Sequence, residues 1–247
     1  AGATLGWTNF AQATVKGGPD ELSFTPDGHY ATVPLAKTHV TLGVVQSRVV
    51  PVELSNLKQT RRANVQHMMD LIDASGSLTG KKDILFFHEF PITGYYQQWN
   101  LADARKVAIE VPGEEIEMLA KKAREHGCWL LSITTIMSDK GEIVDKHWKA
   151  RNIKGVFGEN FELFTTSIYD VLDRYVEMYG ADAVVPVTRT PLGNLATTST
   201  QREPELMRAM AMKGAEIMLR TATGGFHPID MQATSLYNGI YTAVANN

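Results

Sequence analysis

Three short stretches of the chain hold side chains that could do chemistry together. Glu89 closes "KDILFFHEF" behind the apolar run Ile84, Leu85, Phe86 and Phe87. A carboxylate at the tip of so apolar a strand is expected to be partly desolvated. Desolvation disfavours the charged form, which suits a general base or acid near neutral pH. A strand-end glutamate that faces water or caps a turn is the plainer alternative. Lys149 stands in "DKHWKARN", where an extended chain puts it on one face with Arg151 and puts Trp148 on the other. An ammonium there could keep a nearby carboxylate ionised, or meet charge developing on a substrate oxygen. A solvated basic edge strand would look the same. The third stretch is "GNLATTSTQREPE", in which Thr198, Ser199 and Thr200 fall between a strand pattern and a helix that begins near Glu203-Pro204-Glu205. Backbone N–H groups at a helix N-terminus favour a developing anion. Ser and Thr are also ordinary caps at that position.

These residues need elements to position them, and the pattern supplies alternating strands and helices. A buried strand is expected over His39–Val49, then a helix over Asn56–Ser75 with Val65, Met68, Met69, Leu71 and Ile72 on roughly one face. Lys82–Phe90 reads as a strand buried on both sides. Pro112–Gly127 carries helix punctuation, with Pro and acidic residues at its start and Gly at its end. Cys128–Met137 reads as one strand, and Gly141–Ile153 as a turn followed by another. Thr166–Gly180 suggests a short helix or an ordered insertion. Asp182–Ser199 reads as two strands joined at a Thr-Pro-Leu-Gly turn. A helix, a strand, a helix and a strand complete the chain. Residues 1–38, rich in Gly, Thr and Pro, form an irregular arm. Alternation of this kind implies an α/β layered domain.

Composition narrows the functional classes. With 247 residues and 44% hydrophobic content, the chain can bury a large core. A net charge of -3 offers no basic footprint for nucleic acid. No apolar stretch is long enough to cross a membrane. The single cysteine, Cys128, excludes an internal disulfide framework and points to a reducing cytoplasm. Cys128 opens a buried strand, where apolar surroundings leave a thiol inert. His88, His147 and His227 are scattered, so no metal is assigned. Gly224-Gly225 lacks the rest of a phosphate-binding fingerprint, and no cofactor is expected.

In order, these pieces resemble the motifs of the nitrilase, or carbon–nitrogen hydrolase, superfamily. "ILFFHEFPITGYY" looks like its carboxylate motif. "GEIVDKHWKARN" looks like its lysine motif, where a Gly-containing hairpin leads to a Tyr-Arg-Lys-like triplet. "TPLGNLATTSTQREPELMRAMAMKGAEIML" looks like its nucleophile motif, and "YNGIYTAVANN" like the strand that follows. The wording "AMKGAE" is closest to the amidase and formamidase branches. The resemblance implies a four-layer α-β-β-α sandwich, a homodimer or larger homo-oligomer stacked through helices, and a small-molecule amide or nitrile substrate. It implies a Glu–Lys–Cys triad in which Glu89 is the base and Lys149 meets the oxyanion. Glu159 or Glu162 would supply a second carboxylate.

The family's cysteine is absent from this turn. Counting forward from Gly193 points to Thr200, and counting back from Pro204 points to Thr198; Ser199 lies between and is taken as the nucleophile position. The family continues into further core strands past the position of Asn247, so residues 39–247 are expected to form a nitrilase-like domain lacking its C-terminal part. Two readings compete with an active hydrolase. One is a catalytically inactive relative that binds or assembles. The other is an unrelated α/β enzyme with a serine elbow, although the flanks lack Gly-x-Ser-x-Gly.

Overall fold

The computed structural model describes residues 32–48, 50–96, 99–132, 135–150, 167–223 and 227–246. Most of the irregular arm, Arg151, Glu159, Glu162 and the Gly224-Gly225 pair lie outside these residues. Of the arm, Ala36 donates its N–H to Pro191 O at 2.8 Å and the Lys37 ammonium pairs with Asp83.

Two sheets form in succession along the chain. The first holds β1 (Leu42–Val45), β2 (Ile84–Phe87), β3 (Trp129–Ser132), β4 (Thr135–Met137) and β5 (Ile143–Lys146), side by side in that order. β1, β2 and β3 run parallel; β4 reverses and β5 reverses again. The second sheet holds β6 (Thr188–Thr190), β7 (Gly193–Thr198), β8 (Ile217–Ala222) and β9 (Tyr241–Asn246), also in order, with β7 to β9 parallel.

The alternation of side chains along a strand sorts the apolar run of β2 into two layers. Leu85 and Phe87 face α1 (Leu57–Thr79) and α3 (Glu114–His126), where Val65, Met68, Ile72, Leu119 and Ala123 pack on them. Ile84 and Phe86 face the second sheet and meet Leu195, Leu219 and Ala245. On the far side of that sheet, Ala196 and Met218 pack on Met207 and Met210 of α5 (Pro204–Met212). The result is the four-layer α-β-β-α sandwich. Full burial of a side chain such as Phe86 or Leu195 stabilises the fold by about 1.5–3 kcal/mol.

Local signals explain several element ends. Glu114, Glu115 and Glu117 fill the first turn of α3, where negative charge offsets the helix dipole. Gly127 ends that helix at φ 55° and donates its N–H to Ala123 O and Arg124 O. Other expectations need correction. The strand expected over Cys128–Met137 is two antiparallel strands, β3 and β4, with Leu131 opposite Ile136. Both arms are apolar, so the sequence shows no break between them. The strand at His39–Val49 shrinks to four residues, and the helix at Asn56–Ser75 runs on to Thr79. A helix absent from the sequence reading, α2 (Leu101–Val107), starts at a reciprocal Asn100–Asp103 capping box. A three-residue spacing of that kind was its signal. The insertion near Thr166–Gly180 contains α4 (Leu172–Tyr179).

Candidate active site

Strand direction gathers the candidate residues at one end of the first sheet. Glu89 lies two residues past the end of β2. Because β5 has reversed twice from β3, it runs parallel to β2, and Lys149 lies three residues past its end. Both therefore occupy the carboxyl edge, where open α/β sheets place their ligands. The two side chains meet, with Lys149 Nζ 3.7 Å from Glu89 Oε1 and each about 15% exposed. Glu89 is thus paired rather than water-facing, and Lys149 is not a solvated edge residue. The Lys149 backbone is fixed by Ile168, whose N–H donates to Lys149 O at 3.0 Å. Trp148 packs edge-on against Tyr175 of α4, with ring centroids 5.7 Å apart.

The turn after β7 comes from the other sheet. Thr198 Oγ1 accepts from the Thr200 N–H at 3.1 Å, so this hydroxyl is engaged in the turn. Thr200 is buried, and its Oγ1 has no hydrogen-bond partner. Ser199 is half-buried between them. The described contacts join Glu89 to Lys149 and do not join Ser199 to either. One bond does tie the two segments together. The Thr197 N–H donates to His147 Nδ1 at 3.1 Å, which links the residue two before Ser199 to the residue two before Lys149.

Two features of this turn escape sequence reading. Arg220 of β8 is 1% exposed; its Nη1 pairs with Asp230 Oδ2 at 2.7 Å and its Nη2 donates to Thr200 O at 2.6 Å. Asp230 belongs to α6 (Pro228–Asn238) and also accepts from the Arg202 N–H at 3.1 Å. The clamp holds Arg202 at φ 57°, a conformation uncommon for a residue with a side chain. A lone arginine inside "IMLRTA" was the available signal, since a buried charge demands a partner. The second feature is a set of buried side-chain oxygens without partners at the carboxyl ends of the parallel strands. Besides Thr200 Oγ1 it includes Ser132 Oγ, Thr223 Oγ1 and Asn246 Oδ1.

His88, beside Glu89, turns inward. It is fully buried, with Nε2 2.6 Å from Ser47 Oγ and Nδ1 unpartnered. Burial pushes its pKa down from 6.5 to about 4. Between those values the unfolded chain binds more protons than the folded one. Stability from a neutral His88 is therefore complete above pH 6.5 and is lost as the pH falls towards 4. Urea titrations are expected to show a decline of roughly 3 kcal/mol across that window, in proportion to the shift. A His88→Gln variant should lack most of that slope; an unchanged slope would assign it to other groups.

A profile of the carbon–nitrogen hydrolase family matches residues 41–247. The chain belongs to the carbon–nitrogen hydrolase family. Among solved structures, this carbon–nitrogen hydrolase is similar to an amidase from Nesterenkonia sp., at 16% identity and a TM-score of 0.57, over 87% of this chain and 78% of that one. It is similar to a double mutant of the Nesterenkonia sp. AN1 amidase in complex with acrylamide, at 16% identity and a TM-score of 0.56, over 87% of this chain and 79% of that one. A mutant of the same amidase in complex with butyramide is 17% identical with a TM-score of 0.57, over 84% of this chain and 76% of that one. At such identities the likeness concerns the fold.

The one cysteine of this carbon–nitrogen hydrolase cannot stand in for the cysteine absent from the turn after β7. Cys128 precedes β3, which runs parallel to β2, so it lies at the opposite edge of the sheet from Glu89. It is 2% exposed, and burial pushes its thiol up to about 11. Among the described residues no helix is long and apolar enough to cross a membrane.

Proposed function

We propose that this carbon–nitrogen hydrolase cleaves small amides through Glu89, Lys149 and Ser199. The observation that carries the reading is the Glu89–Lys149 pair, 3.7 Å apart at the carboxyl edge. The bond from Thr197 to His147 supports placing the Ser199 turn beside it. Ser199 is the best of the three hydroxyls, because Thr198 Oγ1 is engaged in the turn and Thr200 is buried. Ser199 Oγ attacks the amide carbonyl carbon while Glu89 takes its proton. The tetrahedral oxyanion forms near the Lys149 ammonium. Its collapse breaks the C–N bond, and the departing amine takes the proton from Glu89. Glu89 then takes a proton from water, whose oxygen attacks the ester carbonyl; the C–Oγ bond breaks, Glu89 returns the proton to Ser199 Oγ, and the acid leaves.

A second reading keeps the fold and ligand binding without turnover. It is favoured by the hydroxyl itself, which is a far weaker nucleophile than a thiolate. The test is release of ammonia from a panel of small amides and nitriles by this chain and by its Ser199→Cys variant. Turnover by this chain supports the hydrolase reading. No turnover by this chain, with turnover by Ser199→Cys, indicates a lost nucleophile and supports the second, as does binding of the panel without turnover by either.

We further infer a homodimer or larger homo-oligomer through the outer helical layer. Met212 of α5 and Ile229, Leu236 and Tyr237 of α6 are 64–77% exposed there. An apolar surface of this kind marks an association site. Sedimentation velocity is expected to give at least a dimer, and Leu236→Asp to shift it to monomer. A monomeric parent chain would reject the assignment.

A further inference from the structure

We propose that His147 is a positioning residue that holds the lysine segment and the nucleophile turn in register across the two sheets. The proposal rests on the reading of Glu89, Lys149 and Ser199 given above. His147 follows β5 directly and is 2% exposed. Both ring nitrogens are committed. Nδ1 accepts the Thr197 N–H at 3.1 Å, so the proton of the neutral ring sits on Nε2. Nε2 lies 2.7 Å from Thr188 Oγ1 and 3.3 Å from Asp145 Oδ2, and Thr188 Oγ1 donates to the same carboxylate oxygen at 2.6 Å. Burial pushes the Asp145 carboxyl up, but hydrogen bonds from His147, Thr188 and the Lys146 N–H outweigh it and hold it below the ordinary range.

Geometry separates this role from that of a filler in the core. The ring meets the second sheet on both sides, at the Thr188 side chain of β6 through Nε2 and at the backbone of β7 through Nδ1, and only the Nδ1 bond reaches the strand that leads into the Ser199 turn. From the two ends of that bond, each chain runs two residues to reach Lys149 and Ser199. A change in the His147–Thr197 distance therefore shifts the base–lysine pair against the hydroxyl. Asp145 and Thr188 fix the tautomer and keep the ring from turning. His147 does not touch the reacting atoms in this scheme; it acts through Thr197 and Lys149.

Two conservative variants divide the two sides of the ring. In His147→Asn, Oδ1 can replace Nδ1 as the acceptor for the Thr197 N–H. In His147→Gln, Nε2 can replace the donor to Thr188 while the acceptor is lost. His147→Asn is expected to keep the Thr197 amide protected from hydrogen exchange and to keep turnover within about threefold. His147→Gln is expected to lose that protection, to move the amide resonances of Thr198–Gln201, and to lower kcat at least ~10-fold with KM little changed. The ring ¹⁵N shifts of the parent chain should report a protonated Nε2 and an unprotonated Nδ1. Equal behaviour of the two variants, or a protonated Nδ1, would overturn the proposal. If no form of the chain turns over any amide, the hydrolase reading fails by itself. Exchange at Thr197 and the turn resonances then decide the role of His147 alone.

Discussion

Replacing Ser199 by cysteine is expected to raise amide hydrolysis about 100-fold or more, in line with the greater nucleophilicity of a thiolate. The physical cause is the proton that Glu89 must remove. A free thiol has a pKa near 8.5, and positive surroundings lower it further. A serine hydroxyl is far more basic once deprotonated, so a carboxylate takes its proton only with help from the forming bond. In the Cys variant, the helix N-terminus at Pro204, and Lys149 on the proposed arrangement of the site, would favour the thiolate. Acrylamide supplies a second readout. It is a Michael acceptor that alkylates accessible thiolates. The Ser199→Cys chain should gain one adduct by intact mass spectrometry, and the parent chain none. Cys128 gives a clean background because it is buried and its thiol is pushed up to about 11. An adduct at Thr198→Cys or Thr200→Cys, with none at Ser199→Cys, would move the nucleophile position along the turn.

Glu89→Gln is expected to lower kcat by roughly 10²–10⁴, the usual contribution of a positioned general base. Glutamine keeps the shape of the side chain and removes both the charge and the basic oxygen. KM should change little, because the lost interaction acts in the transition state. Lys149→Met should fall in the same range, and the double variant should lose little more than either single one. Groups that act as one unit are non-additive in this way. Glu89→Gln also leaves Lys149 without its 3.7 Å carboxylate partner. The expected stability cost is about 1–3 kcal/mol, between those of exposed and buried pairs. The measurement is steady-state kinetics on the best amide of the panel, with a urea titration beside it. Turnover unaffected by Glu89→Gln would reject the proposed chemistry.

The layers of the fold were legible because apolar spacing is a local signal. Phe86 and Phe87 adjoin in a continuous apolar run, which reads as a strand covered on both sides, and they do face different layers. Val65, Met68 and Ile72 mark the helical face that α1 buries. The break between β3 and β4 was hidden because apolar and β-branched residues continue through it. At the candidate site, Glu89 and Lys149 stood out through residue type and motif order, and they meet. His147 did not stand out, since its partner Thr197 is 50 residues away and meets it only when the sheets stack. Arg220 was hidden for the same reason: its partners Thr200 and Asp230 lie on a turn and a helix outside its own strand.

The chain order of the two sheets bears on synthesis. Every strand from β1 to β5 is translated before β6 begins. A nascent chain can therefore complete its first sheet with Ile84, Phe86, Trp129, Leu131 and Ile136 still uncovered, because their partners Leu195, Leu219 and Ala245 have yet to leave the ribosome. That bare face is the type of surface that chaperones hold and that aggregates if released early. Glu89 and Lys149 both belong to the portion made first, and the turn that carries Ser199 to the portion made later. If Ser199 is the nucleophile, as proposed, activity is accordingly the last property the polypeptide acquires, and a product that ends before β7 has Glu89 and Lys149 without the hydroxyl they would act on.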